Sequence, residues 1–160
     1  MVKILNQYLS RLLSKVSLVV SPNDIERSIR DFTGDRELEW GYTNERIQRY
    51  ANQHSKILDF GCGVGVISLA AAKLGCRVLG IDLMHCEVGY EHANIEFRQI
   101  DVRMLNENYE NFDLILNCSS IEHVGLSGRY NSTEAPDGDL EAMKKMLALL
   151  KIKGHMIITL

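Results

Sequence analysis

The sequence predicts an α/β fold in which a mostly parallel sheet carries helices on both faces. Apolar, strand-like segments alternate with helical segments from residue 56 onward, which is typical of parallel strands joined by crossovers. A glycine-rich turn, GCGVG at residues 61–65, separates the first strand from the first helix of this region. An acidic residue, Asp82, ends the second strand. Together these features indicate a ligand site at the carboxyl edge of the sheet.

The individual elements can be placed along the chain. We expect strands at residues 56–60, 77–81, 95–100, 112–117 and 155–160. Helices are expected at residues 64–74 and 139–150, and Asp139 is a candidate cap for the second. The connection at residues 83–94 is close to the shortest length that a crossover can have, so a stunted helix or a loop is expected there.

Residues 1–53 are expected to form an N-terminal helical segment that packs on a domain of residues 54–160. Apolar residues between positions 4 and 16 recur at helical spacing and form one stripe, which favours docking against a core. A third helix of this segment is expected from about residue 43 to residue 53.

Bulk composition excludes several classes of protein. The 160 residues carry a net charge of −3, without an obvious basic face, so no nucleic-acid partner is expected. No segment is apolar and long enough to span a membrane, and Arg11 and Lys15 interrupt the N-terminal apolar run that could otherwise resemble a signal peptide. Four cysteines without zinc-ligand spacing favour reduced thiols and a cytoplasmic location.

The last segment, GHMIITL, reads as an apolar strand with nothing after it. A further strand–helix–strand unit would need roughly 30 residues, and without one this strand could be an exposed hydrophobic edge. We therefore expect either a fragment or an edge that a partner covers. A homodimer through the N-terminal helices or through this strand is possible on the same grounds.

The glycine turn has a spacing that bears on the ligand. Dinucleotide sites use GxGxxG to bring a pyrophosphate to a helix N-terminus, whereas this turn reads GxGxG and Val66 occupies the third glycine position. Asp59 precedes the turn, and its carboxylate would repel a pyrophosphate but suit an ammonium or sulfonium ligand. Asp82 stands where an acid can accept both hydroxyls of a ribose.

These segments resemble the motifs of the class I S-adenosylmethionine-dependent methyltransferases, a Rossmann-like family. The resemblance covers residues 56–160 and rests on LDFGCGVG, GIDL, RQIDVRML, FDLILNCSSIEHV and MKKMLALLKIKGHMIIT, in that order. It implies that Asp59 and the 61–65 turn hold the methionine end of the cofactor, and that Asp82 binds the ribose. It further implies that Asp101 meets the adenine amino group and the Val102 amide a ring nitrogen.

The cofactor site implied by the resemblance comprises Asp59, Gly61, Cys62, Gly63, Gly65, Asp82, Leu83, Asp101, Val102 and Asn117. The chain departs from the family at Ile152 and Lys153, which replace a usual Pro-Gly turn, and we expect the family's C-terminal strands to be missing after the fifth strand. The first departure is expected to alter that turn without touching the cofactor.

The stretch SSIEHVGL is similar to one in poorly characterised bacterial methyltransferase-like proteins, and it begins the loop where an acceptor would bind. His123 is a candidate general base, with Glu122 as its orienting partner or as a ligand for an amine. Packing against the sheet is the alternative use of His123. Some metal-dependent methyltransferases carry Glu-x-x-Glu-His here, but Ser119 replaces the first glutamate, so no metal is expected.

The sequence therefore predicts methyl transfer from S-adenosylmethionine, with S-adenosylhomocysteine as product, to an oxygen or nitrogen of a small-molecule or glycan-like acceptor. The alternative is a non-catalytic methyltransferase-like binding or scaffold protein, or a fragment of a larger enzyme. A nicotinamide-dependent oxidoreductase is a third possibility, which Val66 and Asp59 disfavour.

Overall fold

The computed structural model describes residues 35–86, 88–106, 111–127 and 134–160. Its five parallel strands form one sheet in the spatial order β3-β2-β1-β4-β5. The strands are β1 (Lys56–Phe60), β2 (Arg77–Asp82), β3 (Ile95–Gln99), β4 (Phe112–Cys118) and β5 (Leu150–Thr159). The helices are α1 (Asp35–Tyr50), α2 (Val66–Lys73) and α3 (Gly138–Leu149). The predicted α/β class is confirmed.

Strand β1 lies at the centre of the sheet and pairs with β2 on one side and β4 on the other. Phe60, the last residue of β1, is in register with Ile81 of β2 and with Asn117 of β4. The chain runs outward from β1 to β3 and then returns to the opposite side of β1. Connections consequently leave the carboxyl ends of β1 and β4 in opposite directions, which opens a crevice where open α/β sheets bind ligands.

The sheet is buried on both faces, as an all-parallel sheet requires. Helix α3 and the short 3₁₀ turns Val102–Met104 and Ile121–His123 cover one face, whose core includes Phe112, Ile115 and Met146. Helices α1 and α2 cover the other face, where Ile47, Ile57 and Leu114 are fully buried. The two layers of helices hold the carboxyl edge of the sheet in a fixed geometry, and that edge carries the site.

Helix α1 is longer at its start than the sequence predicts. It begins at Asp35 rather than near Thr43 and ends at Tyr50 rather than at Gln53. Its buried residues Thr43, Arg46 and Ile47 face the sheet, and exposed Gly41 lies within the helix. Because packing on the sheet offsets the roughly 1 kcal/mol helix penalty of a glycine, the helix includes Gly41 and starts before the predicted residue. The predicted helices before residue 35 lie outside the described part of the chain.

Other boundaries differ by a few residues. Strand β5 begins at Leu150 instead of residue 155, and its pairing with β4 is broken between Leu150 and His155, where Lys153 has a φ of 67°. The Ile152–Lys153 departure therefore falls in an irregular part of β5. The N-cap of α3 is Asp137 rather than Asp139, which lies in the first turn and accepts a hydrogen bond from the backbone of Leu140.

The connection after β2 contains no helix in its described residues 83–86 and 88–94, as the short length predicted. Among the described residues, no helix combines the length and the apolar character needed to cross a membrane.

Candidate cofactor site and active site

The turn after β1 depends on glycine for both conformation and space. Gly61, Gly63 and Gly65 have φ angles of 71°, 51° and 74°, in the left-handed region that side chains disfavour. A Cβ at Gly61 would lie 2.1 Å from the Ser120 hydroxyl oxygen, and one at Gly65 would lie 2.4 Å from the Tyr90 hydroxyl oxygen. The turn can therefore pack tightly beneath the loops that follow β2 and β4.

The amides of this turn are used within the protein. The backbone N–H groups of Gly61 and Cys62 both donate to the carbonyl of Ile81, at 2.9 and 3.1 Å. The N–H of Gly63 donates to the Asp82 carboxylate at 3.0 Å, and that of Gly65 donates to the carbonyl of Cys62. A pyrophosphate needs such amides as donors, and these four are already occupied.

Asp82 lies at the end of β2 and faces the crevice. Its Oδ2 accepts the hydrogen bond from Gly63, and its Oδ1 accepts one from the backbone of Met84 at 2.9 Å. A carboxylate offers about four lone-pair sites, so two remain for ligand hydroxyl groups. Asp82 therefore keeps acceptor capacity towards the pocket, and its ribose-binding role stays a prediction.

Asp101 lies after β3 and is held by Arg103. Its carboxylate accepts a hydrogen bond from the backbone of Arg103 at 2.8 Å and pairs with the guanidinium at 2.6 Å. Burial opposes ionisation of Asp101, but these hydrogen bonds and the positive charge outweigh it, so the pKa lies below its usual value. Sequence analysis did not identify Arg103, which also bonds Glu141 of α3 and fixes the Asp101 side chain in place.

A pocket opens at the carboxyl ends of the strands and brings many of the predicted residues together. Its predicted members are Gly61, Gly63, Asp82, Leu83, Asp101, Val102 and His123. It is also lined by residues that sequence analysis missed, namely Phe60, Ile100, Ser119, Ser120 and Val124. Each of these follows or ends a strand at this edge, so position at a strand end was the available signal.

Asp59 does not line the pocket. Its side chain is 3% exposed, and its carboxylate accepts a hydrogen bond from the Ser68 hydroxyl at 2.6 Å and another from the Ser68 backbone. Burial raises the pKa of Asp59, the Ser68 hydrogen bonds lower it, and the charge of Asp82 raises it. The net result is a pKa of about 6. In this geometry Asp59 ties the start of α2 to β1, a role that its position before the turn also allowed.

Three other residues of the implied cofactor set also lie outside the pocket lining. Cys62 faces the loop after β2, where its sulfur is 3.4 Å from that of Cys86, and burial raises the pKa of its thiol. Gly65 accepts a hydrogen bond at its carbonyl from the Tyr90 hydroxyl. Asn117 is fully buried, and its Oδ1 accepts a long hydrogen bond from Ile121. These three residues are close to pocket-lining residues along the chain and do not line the pocket themselves.

The segment after β4 forms the end of the pocket at which the sequence predicts an acceptor. His123 lines the pocket, and its Nε2 is 4.0 Å from the Glu122 carboxylate, which does not. Ser119 has a φ of 47°, and its hydroxyl donates a hydrogen bond to Glu39 of α1. Sequence analysis did not single out Glu39. Arg129 and Tyr130, two further polar residues of this stretch of sequence, lie outside the described residues.

The lining of the pocket suits an uncharged or cationic nucleoside ligand. Two carboxylates, Asp82 and Asp101, belong to it, and none of its described lining residues is lysine or arginine. Apolar side chains from Leu83, Ile100 and Val102 provide surfaces for a flat ring. Acids that accept hydroxyl hydrogens, an apolar slot and occupied turn amides together fit S-adenosylmethionine.

Comparisons with known proteins support this interpretation. The family model for a methyltransferase domain matches residues 32–160. A ubiquinone biosynthesis O-methyltransferase from Sinorhizobium fredii is 37% identical over 76 residues, which are 43% of this chain and 31% of that protein. A second one, from Bartonella quintana, is 38% identical over 79 residues, covering 45% of this chain and 32% of that protein. The match thus spans about a third of these curated relatives.

Solved structures show the same fold. The N-methyltransferase NodS from Bradyrhizobium japonicum, in complex with S-adenosylhomocysteine, superposes with a TM-score of 0.60 at 20% identity, over 85% of this chain and 70% of NodS. A TehB-like methyltransferase from Corynebacterium glutamicum gives 0.57 at 27% identity, over 72% of this chain and 60% of that one. The chain therefore belongs to the S-adenosylmethionine-dependent methyltransferases of the class I, Rossmann-like type.

Proposed function

We propose that the pocket binds S-adenosylmethionine and that the whole protein transfers its methyl group to an oxygen or nitrogen acceptor. The observation that carries the proposal is the Asp82 carboxylate, which faces the pocket while its inner lone pairs anchor Gly63 and Met84. Asp82 would accept the ribose hydroxyls, and Leu83, Ile100 and Val102 would enclose the adenine ring. Asp101, held by Arg103, would accept a hydrogen from the adenine amino group.

The cofactor, when bound, supplies a methyl group on a positively charged sulfonium. The chain has to hold the acceptor in line with that methyl group and exclude water, and positioning can account for most of the acceleration. We propose that His123 removes the proton of the nucleophile, because it lines the acceptor end of the pocket. Glu122 would orient the imidazole from the side away from the pocket.

The proposed acceptor is a small molecule or a glycan-like compound. The matched relatives carry the name of an O-methyltransferase of ubiquinone biosynthesis, and NodS is an N-methyltransferase. These names support an oxygen or a nitrogen nucleophile as the chemical class. The segment after β4, which would meet the acceptor, contains two serine hydroxyls and His123 in the pocket lining.

Calorimetric titration of the purified chain with S-adenosylhomocysteine and, in parallel, with NAD⁺ tests the proposal. We expect a 1:1 complex with S-adenosylhomocysteine and no measurable heat with NAD⁺, because four of the turn amides that could bind a pyrophosphate are occupied. Binding of NAD⁺ in preference to S-adenosylhomocysteine would refute it. Cofactor binding without a methylated product across a broad panel of amines, phenols and sugars would favour the non-catalytic alternative.

A further inference from the structure

We propose that Glu39 of helix α1 is a positioning residue for the substrate. Because Glu39 holds the proton of the Ser119 hydroxyl, Ser119 can accept a hydrogen bond from the methyl acceptor but cannot donate one to it. This inference rests on the proposed function, and it adds a selection rule for the substrate. The acceptor must present a hydrogen-bond donor, an amine N–H or a hydroxyl O–H, to this wall of the pocket. A group that only accepts hydrogen bonds is disfavoured there.

The proton of the Ser119 hydroxyl is used in a hydrogen bond within the protein. A carboxylate can only accept hydrogen bonds, and the Ser119 hydroxyl donates to Oε1 of Glu39. Glu39 does not line the pocket, whereas Ser119 does. The proton of Ser119 is therefore committed to α1, and the hydroxyl has only its lone pairs to offer to a ligand.

The Ser120 hydroxyl is arranged in the same way. It donates to the backbone carbonyl of Cys118 at 3.1 Å and lies 3.5 Å from the carbonyl oxygen of Gly61. Carbonyl oxygens also accept only, so Ser120 too offers lone pairs to the pocket that it lines. Two adjacent hydroxyls with committed protons form one acceptor-only wall at the end of the pocket that holds His123.

The backbone of Ser119 is held in place by contacts with two other elements. Ser119 has a φ of 47°, which is uncommon for a residue other than glycine and costs free energy that the surroundings must offset. Its N–H is held by the carbonyl of Thr159. Thr43, one turn after Glu39 on α1, bonds the Cys118 sulfur at 3.1 Å, so α1 is joined to the end of β4 at two successive residues.

The test uses matched fragments on the chain saturated with S-adenosylhomocysteine. Phenol and aniline carry a hydrogen-bond donor, whereas anisole and acetophenone only accept hydrogen bonds. Their dissociation constants are measured by NMR titration, from the backbone amide chemical shifts of residues 119–123. We expect phenol to bind at least about fivefold more tightly than anisole, and aniline than acetophenone. The Glu39→Ala variant releases the Ser119 proton into the pocket, so the preference should fall below about twofold or reverse.

Three further variants separate positioning from folding. Glu39→Gln should retain the preference because its carbonyl oxygen accepts the same proton. Ser119→Ala should reduce the preference to about half or less, because only the lone pairs of Ser120 remain. Glu45→Ala removes an exposed glutamate from the same helix and should leave both the preference and cofactor binding unchanged. A preference of unchanged size in Glu39→Ala and Ser119→Ala, or no preference in the unmodified chain, would overturn the inference.

The two proposals fail in distinguishable ways. A folded chain that does not bind S-adenosylhomocysteine refutes both. A chain that binds S-adenosylhomocysteine but shows no donor preference, or no fragment shifts near residues 119–123, refutes only the role of Glu39 and Ser119.

Discussion

The Asp59 carboxylate lies where water is excluded, between the end of β1 and the start of α2. Burial raises its pKa from 3.8 to about 6, even though Ser68 donates to it from both its hydroxyl and its backbone. The folded chain consequently holds the Asp59 proton more tightly than the unfolded chain does. Stability from this group is fully present below about pH 4 and is lost as the pH rises through about 6.

This difference predicts the behaviour of Asp59→Asn. The amide oxygen can still accept from Ser68 but carries no charge, so the variant should be more stable than the unmodified chain at pH 7, by at most about 3 kcal/mol. The advantage should shrink towards zero at pH 4. Urea unfolding at both pH values measures it, and a variant that is less stable at pH 7 would contradict the assigned burial penalty.

At the level of elements, the glycine turn and the loop after β2 form one packed unit. The Tyr90 hydroxyl donates to the Gly65 carbonyl, and the Tyr90 ring meets Phe97 of β3 edge-on, with ring centroids 6.3 Å apart. Gly65 fits beneath these rings only because it lacks a side chain. The loop therefore takes over part of the packing that a longer crossover helix would provide.

We predict that Gly65→Ala destabilises the chain by about 2–4 kcal/mol, because it combines a left-handed φ with a clash against two aromatic rings. Gly89→Ala, in the same loop, meets nothing within 4 Å and should change stability by less than about 1 kcal/mol. Thermal and urea unfolding of both variants measure the contrast. Equal effects would show that the turn is not packed as described.

Elements with a strong local signal were predictable from the sequence. Strands β1, β2 and β4 are short, mainly apolar segments, and their predicted limits agree with the structure to within one residue. The start of α1 and the first half of β5 were not predictable in this way. Helix α1 passes through Gly41, and the first half of β5 contains exposed Lys151 and Ile152. Long-range packing, rather than the local sequence pattern, therefore determines where these two elements start.

At the scale of the whole molecule, site residues could be predicted from the sequence where a local pattern marks them, but not where long-range packing alone brings them together. Asp82, Asp101 and His123 each follow a recognisable strand, and the topology brings those strand ends together. Glu39 meets Ser119 across 80 positions of sequence, and nothing local to either residue predicts that contact. Asp59 was assigned to the ligand because chain position does not reveal that its side chain turns away from the pocket.

Binding at the carboxyl edge should stabilise the whole fold, since strand ends from both halves of the sheet line the pocket. At 100 times its dissociation constant, S-adenosylhomocysteine should add about 2.7 kcal/mol and raise the melting temperature by about 5–10 °C. NAD⁺ at the same concentration should shift it by less than about 1 °C. Differential scanning fluorimetry measures the melting temperature with each ligand. An equal shift with NAD⁺ would contradict the ligand assignment.

The most direct test of the account is calorimetric titration of S-adenosylhomocysteine into the chain, Asp82→Ala and Glu91→Ala. Asp82 faces the pocket, whereas Glu91 is an exposed carboxylate in the connection that follows the same strand. Losing charged hydrogen bonds to the ribose should weaken binding about 100-fold in Asp82→Ala, and Glu91→Ala should bind as the unmodified chain does. A folded Asp82→Ala that binds within threefold of the unmodified chain would contradict the cofactor site.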